Sequence, residues 1–183
     1  TRQKVLEAAR ELGYRADSRA RLLRSSRTRL LGLIFSSSQP FHAEIVDAAY
    51  AEASARGYEI ALSAVAAGRP EARAIETLLD VGAEALIIIA PTLSTEDLAL
   101  HARRVPVVSL LREDVGGLVD SVSSDDYAGI RIAVEHLASL GHRRITHVDG
   151  GTAVSSDQRR KAYRAEMLRH GLVPVVVPGG PDE

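Results

Sequence analysis

The densest chemistry-bearing stretch of this 183-residue sequence is its first 29 residues, where Lys4 and eight arginines face only Glu7, Glu11 and Asp17. The rest of the chain holds fourteen basic and twenty-one acidic side chains, so a formal net charge of −1 conceals a cationic arm on an acidic body. Clustered guanidinium groups neutralise phosphates, and a positive arm confined to one end suits a nucleic-acid contact made at that end. Basic tails are drawn to acidic membranes and acidic partners by the same attraction, so charge alone does not choose between them.

Other reactive residue types point to less. His136, His142 and His147 are spaced six and five apart, unlike the i, i+4 pair that puts two imidazoles on one helical face. Packing or capping explains them better than a metal, and no metal site is expected. Gly150-Gly151 follows an apolar run, yet no G-x-G-x-x-G or Walker pattern accompanies it. There is no nucleophile elbow, and the spacings support no Ser-His-Asp arrangement. With no cysteine, disulfides, thiolate zinc and thiol catalysis are excluded. The expectation is a non-enzyme without a cofactor.

These residues must be placed by the elements around them. Val5, Leu6, Ala9 and Leu12 form one stripe of a helix over residues 2–12, ended by Gly13. Asp17 or Ser18 caps a short helix over 19–24, too small to order without a partner. From Leu30 the pattern becomes strand and helix in alternation. Strands are expected over 30–35, 58–63, 85–90, 105–110, 118–122, 145–148 and 173–177. Helices are expected over 42–56, 70–81, 95–103, 126–140 and 157–170. Aliphatic strands separated by helices imply an α/β, doubly wound parallel sheet covered on both faces, with ligand beyond the carboxyl ends of the strands. The Arg-studded start lacks the apolar core of a signal peptide, and no apolar run reaches membrane-spanning length, so a cytoplasmic protein with no membrane contact is expected.

The stretch Thr1 to Ile34 resembles the junction of DNA-binding headpiece and core in LacI/GalR transcriptional regulators. It carries Leu12-Gly13-Tyr14, a hinge-like Ala20-Arg21-Leu22-Leu23-Arg24, and Arg27-Thr28 leading to Gly32. "PFHAEIV" (40–46), "DDYAGIRIAVEHLASLGHRRITHVDG" (125–150) and "RRKAYRAEMLRHGL" (159–172) continue the likeness in order along nearly the whole chain. Ala16-Asp17 departs from the usual Pro-Asn, Asp126 from Asn, and Ala162-Tyr163 from Gly-Phe; without the proline the way into the hinge is more flexible. The resemblance implies four units: the last headpiece helix (1–15), a hinge helix and linker (16–29), an N-terminal core subdomain (30–140) and the start of a second (141–183). It also implies a core of the type I periplasmic-binding-protein kind, begun within the headpiece and ended inside the second subdomain. A second subdomain of only two strands and one helix is a poor independent core.

By register, the resemblance makes Leu23 the wedge that a hinge inserts between base steps of the minor groove. Arg15, Arg19, Arg21, Arg24 and Arg27 would meet phosphates or the groove floor. The plainer reading is a solvated basic helix whose leucines pack on a partner. The resemblance further puts Phe41, His42, Asp125 and Arg159 at an effector cleft, where Ser37 and Ser38, in the loop after the first strand with Ser36, would donate hydrogen bonds. Each has a plain alternative: Asp125 as a helix N-cap, the serines as mere loop, Phe41 as core. The function implied is a dimeric, sugar-responsive, operator-binding repressor. A periplasmic-type sugar-binding protein and a doubly wound sugar or nucleotide enzyme are the alternatives; the cationic arm speaks against the first and the missing motif loop against the second.

Overall fold

The computed structural model describes residues 27–112, 117, 119–151, 153 and 155–179, together with Gln3 and Glu7, both helical. Apart from those two positions, the helix expected over 2–12 lies outside the described residues. So do the helix expected over 19–24 and the hinge candidates Arg15, Arg19, Arg21, Leu23 and Arg24.

Five strands form a parallel sheet in the order β2-β1-β3-β4-β5: β1 (Leu30–Ser36), β2 (Glu59–Val65), β3 (Ala85–Ile89), β4 (Val107–Leu110) and β5 (Asp120–Val122). Helices α1 (Phe41–Ala55), α2 (Glu71–Asp80) and α3 (Thr95–Ala102) make the crossovers. Alternation along each strand feeds two cores. Leu33, Ile60 and Ile89 pack with Val46 and Ala53 of α1, while Ile34, Leu86, Ile88 and Val107 pack with Ala74, Ile75 and Leu78 of α2 and Leu98 of α3. Both faces being covered is the reason the strand sequences read as unbroken aliphatic runs. Each fully buried leucine or isoleucine among them contributes about 1.5–3 kcal/mol relative to exposure.

Gly32 lets α2 approach β1. A Cβ there would stand 2.8 Å from Leu86 Cδ2 and 3.1 Å from Leu78 Cβ. The segment that enters β1 is pinned as well. Thr28 Oγ1 donates to the Gly82 carbonyl (2.7 Å), the Thr28 amide donates to the Glu84 carboxylate, and the Glu84 amide donates to Leu30 O (2.8 Å). Gly82 has φ +86°, a conformation that glycine adopts without strain.

β4 and the last strand, β7 (Val175–Pro178), start two residues later than their apolar runs suggest. Pro106 and Pro174 have no amide to donate to a ladder, although the Pro106 carbonyl still accepts from Leu86 (2.9 Å).

A separate two-stranded parallel sheet joins β6 (Thr146–Asp149) to β7 (Val175–Pro178). It is covered by α4 (Asp126–Ser139) and α5 (Ser156–Arg169), whose Val134, Tyr163 and Met167 bury with Ile145. The division expected at residue 140 groups α4 with the first sheet; in the structure α4 packs on α5 and shares the second core. An apolar stripe shows that a helix needs a partner but not which one. Tyr163, at the position where Phe is usual in the resembled family, is 2 % exposed, donates to Ile145 O (2.7 Å) and accepts from the Val175 amide (2.8 Å). Its hydroxyl thereby ties both strands of the small sheet to α5.

Candidate functional site

The strand order reverses direction between β1 and β3: the chain runs outward from β1 to β2, then returns past β1 to β3. In open α/β sheets the crevice beyond the carboxyl ends at such a switch point is where ligands bind. The structure has a cleft of about 530 Å³ there, lined by Ser36, Gln39, Phe41, His42, Ala90, Thr92, Leu111 and Ser124, with Ala153, Ser155 and Arg159 from the second-sheet side. Ser36 ends β1, Ala90 follows β3 and Leu111 follows β4.

Of the six residues expected at such a site, Phe41, His42 and Arg159 come together in this lining. Phe41 opens α1 and is 55 % exposed, so its ring is free to stack on a flat ligand face. His42, the next residue, is buried, and its Nδ1 accepts the Ser36 amide (3.1 Å). Burial lowers the imidazole's pKa, because desolvation penalises the charged ring. Nδ1 as acceptor puts the proton of the neutral ring on Nε2, a donor. Arg159 lies one turn into α5, its Nε donating to Asp126 Oδ1 (2.9 Å). The guanidinium is thereby oriented through one nitrogen, leaving its two terminal nitrogens to form the fork that suits vicinal hydroxyls or a carboxylate.

The other three lie outside the lining. Asp125 caps α4, accepting the Ala128 amide (2.8 Å). Ser37 Oγ donates to Val65 O (3.3 Å), and Ser38 Oγ pairs with Ser36 Oγ (2.9 Å). Asp126 contributes instead, by holding Arg159. Arg27 is exposed, ahead of β1, and is not among the residues that line the cleft.

Ala90, Thr92, Leu111, Ser124 and Ser155 were not singled out from their types. The carboxyl-end rule points to the loops after β3 and β4, but nothing in an alanine or a leucine marks it as a site residue. The backbone conformations of Ala90, Leu111 and Ser155 do. Among the described residues the non-glycine positions with positive φ are Arg29, Ala90 (+50°), Leu111 (+64°) and Ser155 (+68°), and the last three all line the cleft. Left-handed backbone costs an L-residue about 1–2 kcal/mol and persists where surrounding structure over-determines it, most often at binding sites. Ser155 stands at the N-cap of α5 without capping it; its Oγ reaches Leu111 O (3.4 Å), bridging the two sides of the cleft.

The three histidines do not converge. His147 stacks on Tyr163, with centroids 5.1 Å apart and rings 20° from parallel, while His136 and His142 are exposed elsewhere. Among the described residues no group of three His, Asp or Glu side chains is placed to hold a metal, and no helix is long and apolar enough to cross a membrane.

Residues 28–178 match the family described as periplasmic binding proteins and sugar binding domain of LacI family. The chain belongs to this LacI-type sugar-binding domain family. A LacI transcriptional regulator from a Rhodococcus species, solved by crystallography, superposes with a TM-score of 0.80 and is 43% identical, over 83% of this chain and 57% of that one. The Lac repressor bound to ONPG in its repressed state gives a TM-score of 0.82 at 27% identity, over 98% of this chain and 56% of the repressor. The maltose regulon regulatory protein MalI of Escherichia coli K12 is 29% identical over 177 residues, 94% of this chain and 52% of MalI. The chain thus spans about half the length of the relatives it matches. In the LacI-type frame, two departures noted in the sequence acquire physical roles: Asp126 orients Arg159, and Tyr163 supplies the hydroxyl that joins β6 to β7.

Proposed function

We propose that this chain is the sensing portion of a cytoplasmic, dimeric DNA-binding repressor, in which a sugar or similar small metabolite entering the cleft controls the grip of the basic hinge on operator DNA. The observation that carries the reading is the cleft itself. An exposed aromatic ring, a neutral histidine and an oriented arginine converge at the switch point of a LacI-type sheet, beside three left-handed residues. In this reading residues 1–15 end a headpiece, 16–29 are hinge and linker, and the described sheets are the two sides of a sensing core that performs no catalysis. Arg15, Arg19, Arg21, Arg24 and Arg27 meet the duplex, Leu23 wedges into the minor groove, and Phe41, His42 and Arg159 hold the effector.

The pinned linker supports the coupling. Thr28 ties the segment leaving the hinge to the turn before β3, and β3 leads directly into Ala90 in the cleft. A shift of that strand on binding is passed to residue 28 through hydrogen bonds rather than through slack chain. A coupling of about 1–3 kcal/mol, some 5- to 150-fold in DNA affinity, is enough for such control.

The test combines a thermal-shift screen against maltose, galactose, sucrose, ribose and nucleosides with electrophoretic shifts on operator DNA, with and without the best binder. Leu23→Ala is expected to weaken operator binding while leaving effector binding intact. Unchanged operator affinity would count against the hinge, and a sugar that binds without altering any DNA complex would favour a plain sugar-binding protein.

A further inference from the structure

The loop between β3 and α3 supplies Ala90 and Thr92 to the cleft, yet no strand ladder holds it beyond Ala90. Two charged side chains outside the lining grip it. Glu71, in the first turn of α2 and 5 % exposed, accepts both the amide and the hydroxyl of Thr92 through Oε2, each at 2.7 Å. Arg112 donates through Nη1 to Leu93 O (2.6 Å) and Pro91 O (3.2 Å), and through Nη2 to Thr95 Oγ1 (3.0 Å). The Arg112 carbonyl is itself held by the buried Ser109 hydroxyl (3.1 Å), and Arg112 directly follows the left-handed Leu111.

We infer that Glu71 and Arg112 are positioning residues of the ligand cleft, a charged brace that fixes the Ala90–Thr95 loop and, through it, the left-handed Ala90. This rests on the cleft being the binding site. Burial of a carboxylate without a cation partner is costly, and the second oxygen, Glu71 Oε1, is buried with no hydrogen-bond partner. Helix capping does not require this: α3 is capped by the exposed Ser94–Asp97 pair. What the buried Glu71 gains is both donors of Thr92, while Arg112 donates to the Pro91 and Leu93 carbonyls and the Thr95 hydroxyl. The donors of the loop thus meet a carboxylate, and its acceptors meet a multi-pronged cation.

The Thr92 amide has Glu71 as its acceptor, so its hydrogen exchange reads the brace directly. In Glu71→Ala, exchange at Thr92 should accelerate about tenfold or more, as expected for a lost bond to a charged acceptor, while amides of β2 at the far edge of the sheet keep their rates. Glu71→Gln retains a carbonyl acceptor and should hold Thr92 within about threefold of the unaltered chain. Arg112→Met keeps the apolar stem and should loosen the loop locally in the same way. Both Glu71→Ala and Arg112→Met should weaken the sugar chosen by the thermal-shift screen about fivefold or more, at unchanged stoichiometry. Uniform acceleration across the sheet would mark both residues as merely structural and overturn the proposal. So would unchanged exchange at Thr92, or local loosening with unchanged affinity. If no sugar shifts the unaltered chain, the sugar reading fails by itself, and the exchange experiment still decides whether the brace exists.

Discussion

Ala90 offers a measure of how much strain the cleft stores. Its φ of +50° brings Cβ against the following carbonyl, a clash that glycine lacks and that is worth about 1–2 kcal/mol. Replacing Ala90 with glycine removes the clash, but it also removes a half-buried methyl and adds unfolded-state entropy, together worth about 1 kcal/mol. The matched control is Ala61→Gly in β2, also half-buried and with ordinary extended backbone, where only the two losses apply. Ala61→Gly should therefore destabilise by about 1 kcal/mol, and Ala90→Gly should be neutral or stabilising. The difference between the variants, roughly 1–2 kcal/mol, corresponds to about 4 °C in Tm for a chain of this size. Differential scanning calorimetry of the two variants side by side reads it. Equal losses at the two positions would show that the left-handed residue carries no strain, and the argument that strain marks the cleft would go with it.

Tyr163→Phe leaves the Val175 amide and Ile145 carbonyl without their shared partner. It should cost about 1–3 kcal/mol in urea denaturation, with faster exchange at Val175. Because burial holds His42 below its ordinary value of 6.5, the unfolded chain takes up this proton at higher pH than the folded chain. Its contribution is therefore complete above about pH 6.5 and is lost as pH falls toward the folded value. A series of melts from pH 7.5 downward should show that slope, and His42→Gln should flatten it. Gly32→Ala pushes a methyl against Leu78 and Leu86 in a filled core, with an expected cost of about 1–3 kcal/mol in the same denaturation assay.

Most element boundaries were legible because they are local. Runs such as Leu30 to Phe35 and Ala85 to Ala90 declare buried strands by composition alone, and Gly57 stops α1 where a positive φ of +73° is needed. The parallel α/β arrangement followed from their alternation, and the carboxyl-end rule then located the cleft. Phe41, His42 and Arg159 were reached through the resemblance, by register rather than by any property of the residues themselves. The partner of α4, the inward role of Asp126 and the brace of Glu71 and Arg112 were not readable. Each joins groups 17 to 33 positions apart, and side-chain pattern along one element carries no information about which distant atom it will meet. Nor does any alanine, leucine or serine announce that it will sit at positive φ. What the amino-acid order settled by itself was which segments must bury and in what form. Where those segments set one another's backbone, as at Ala90, Leu111 and Ser155, only tertiary packing decided, because strain in one residue is sustained by contacts that others make.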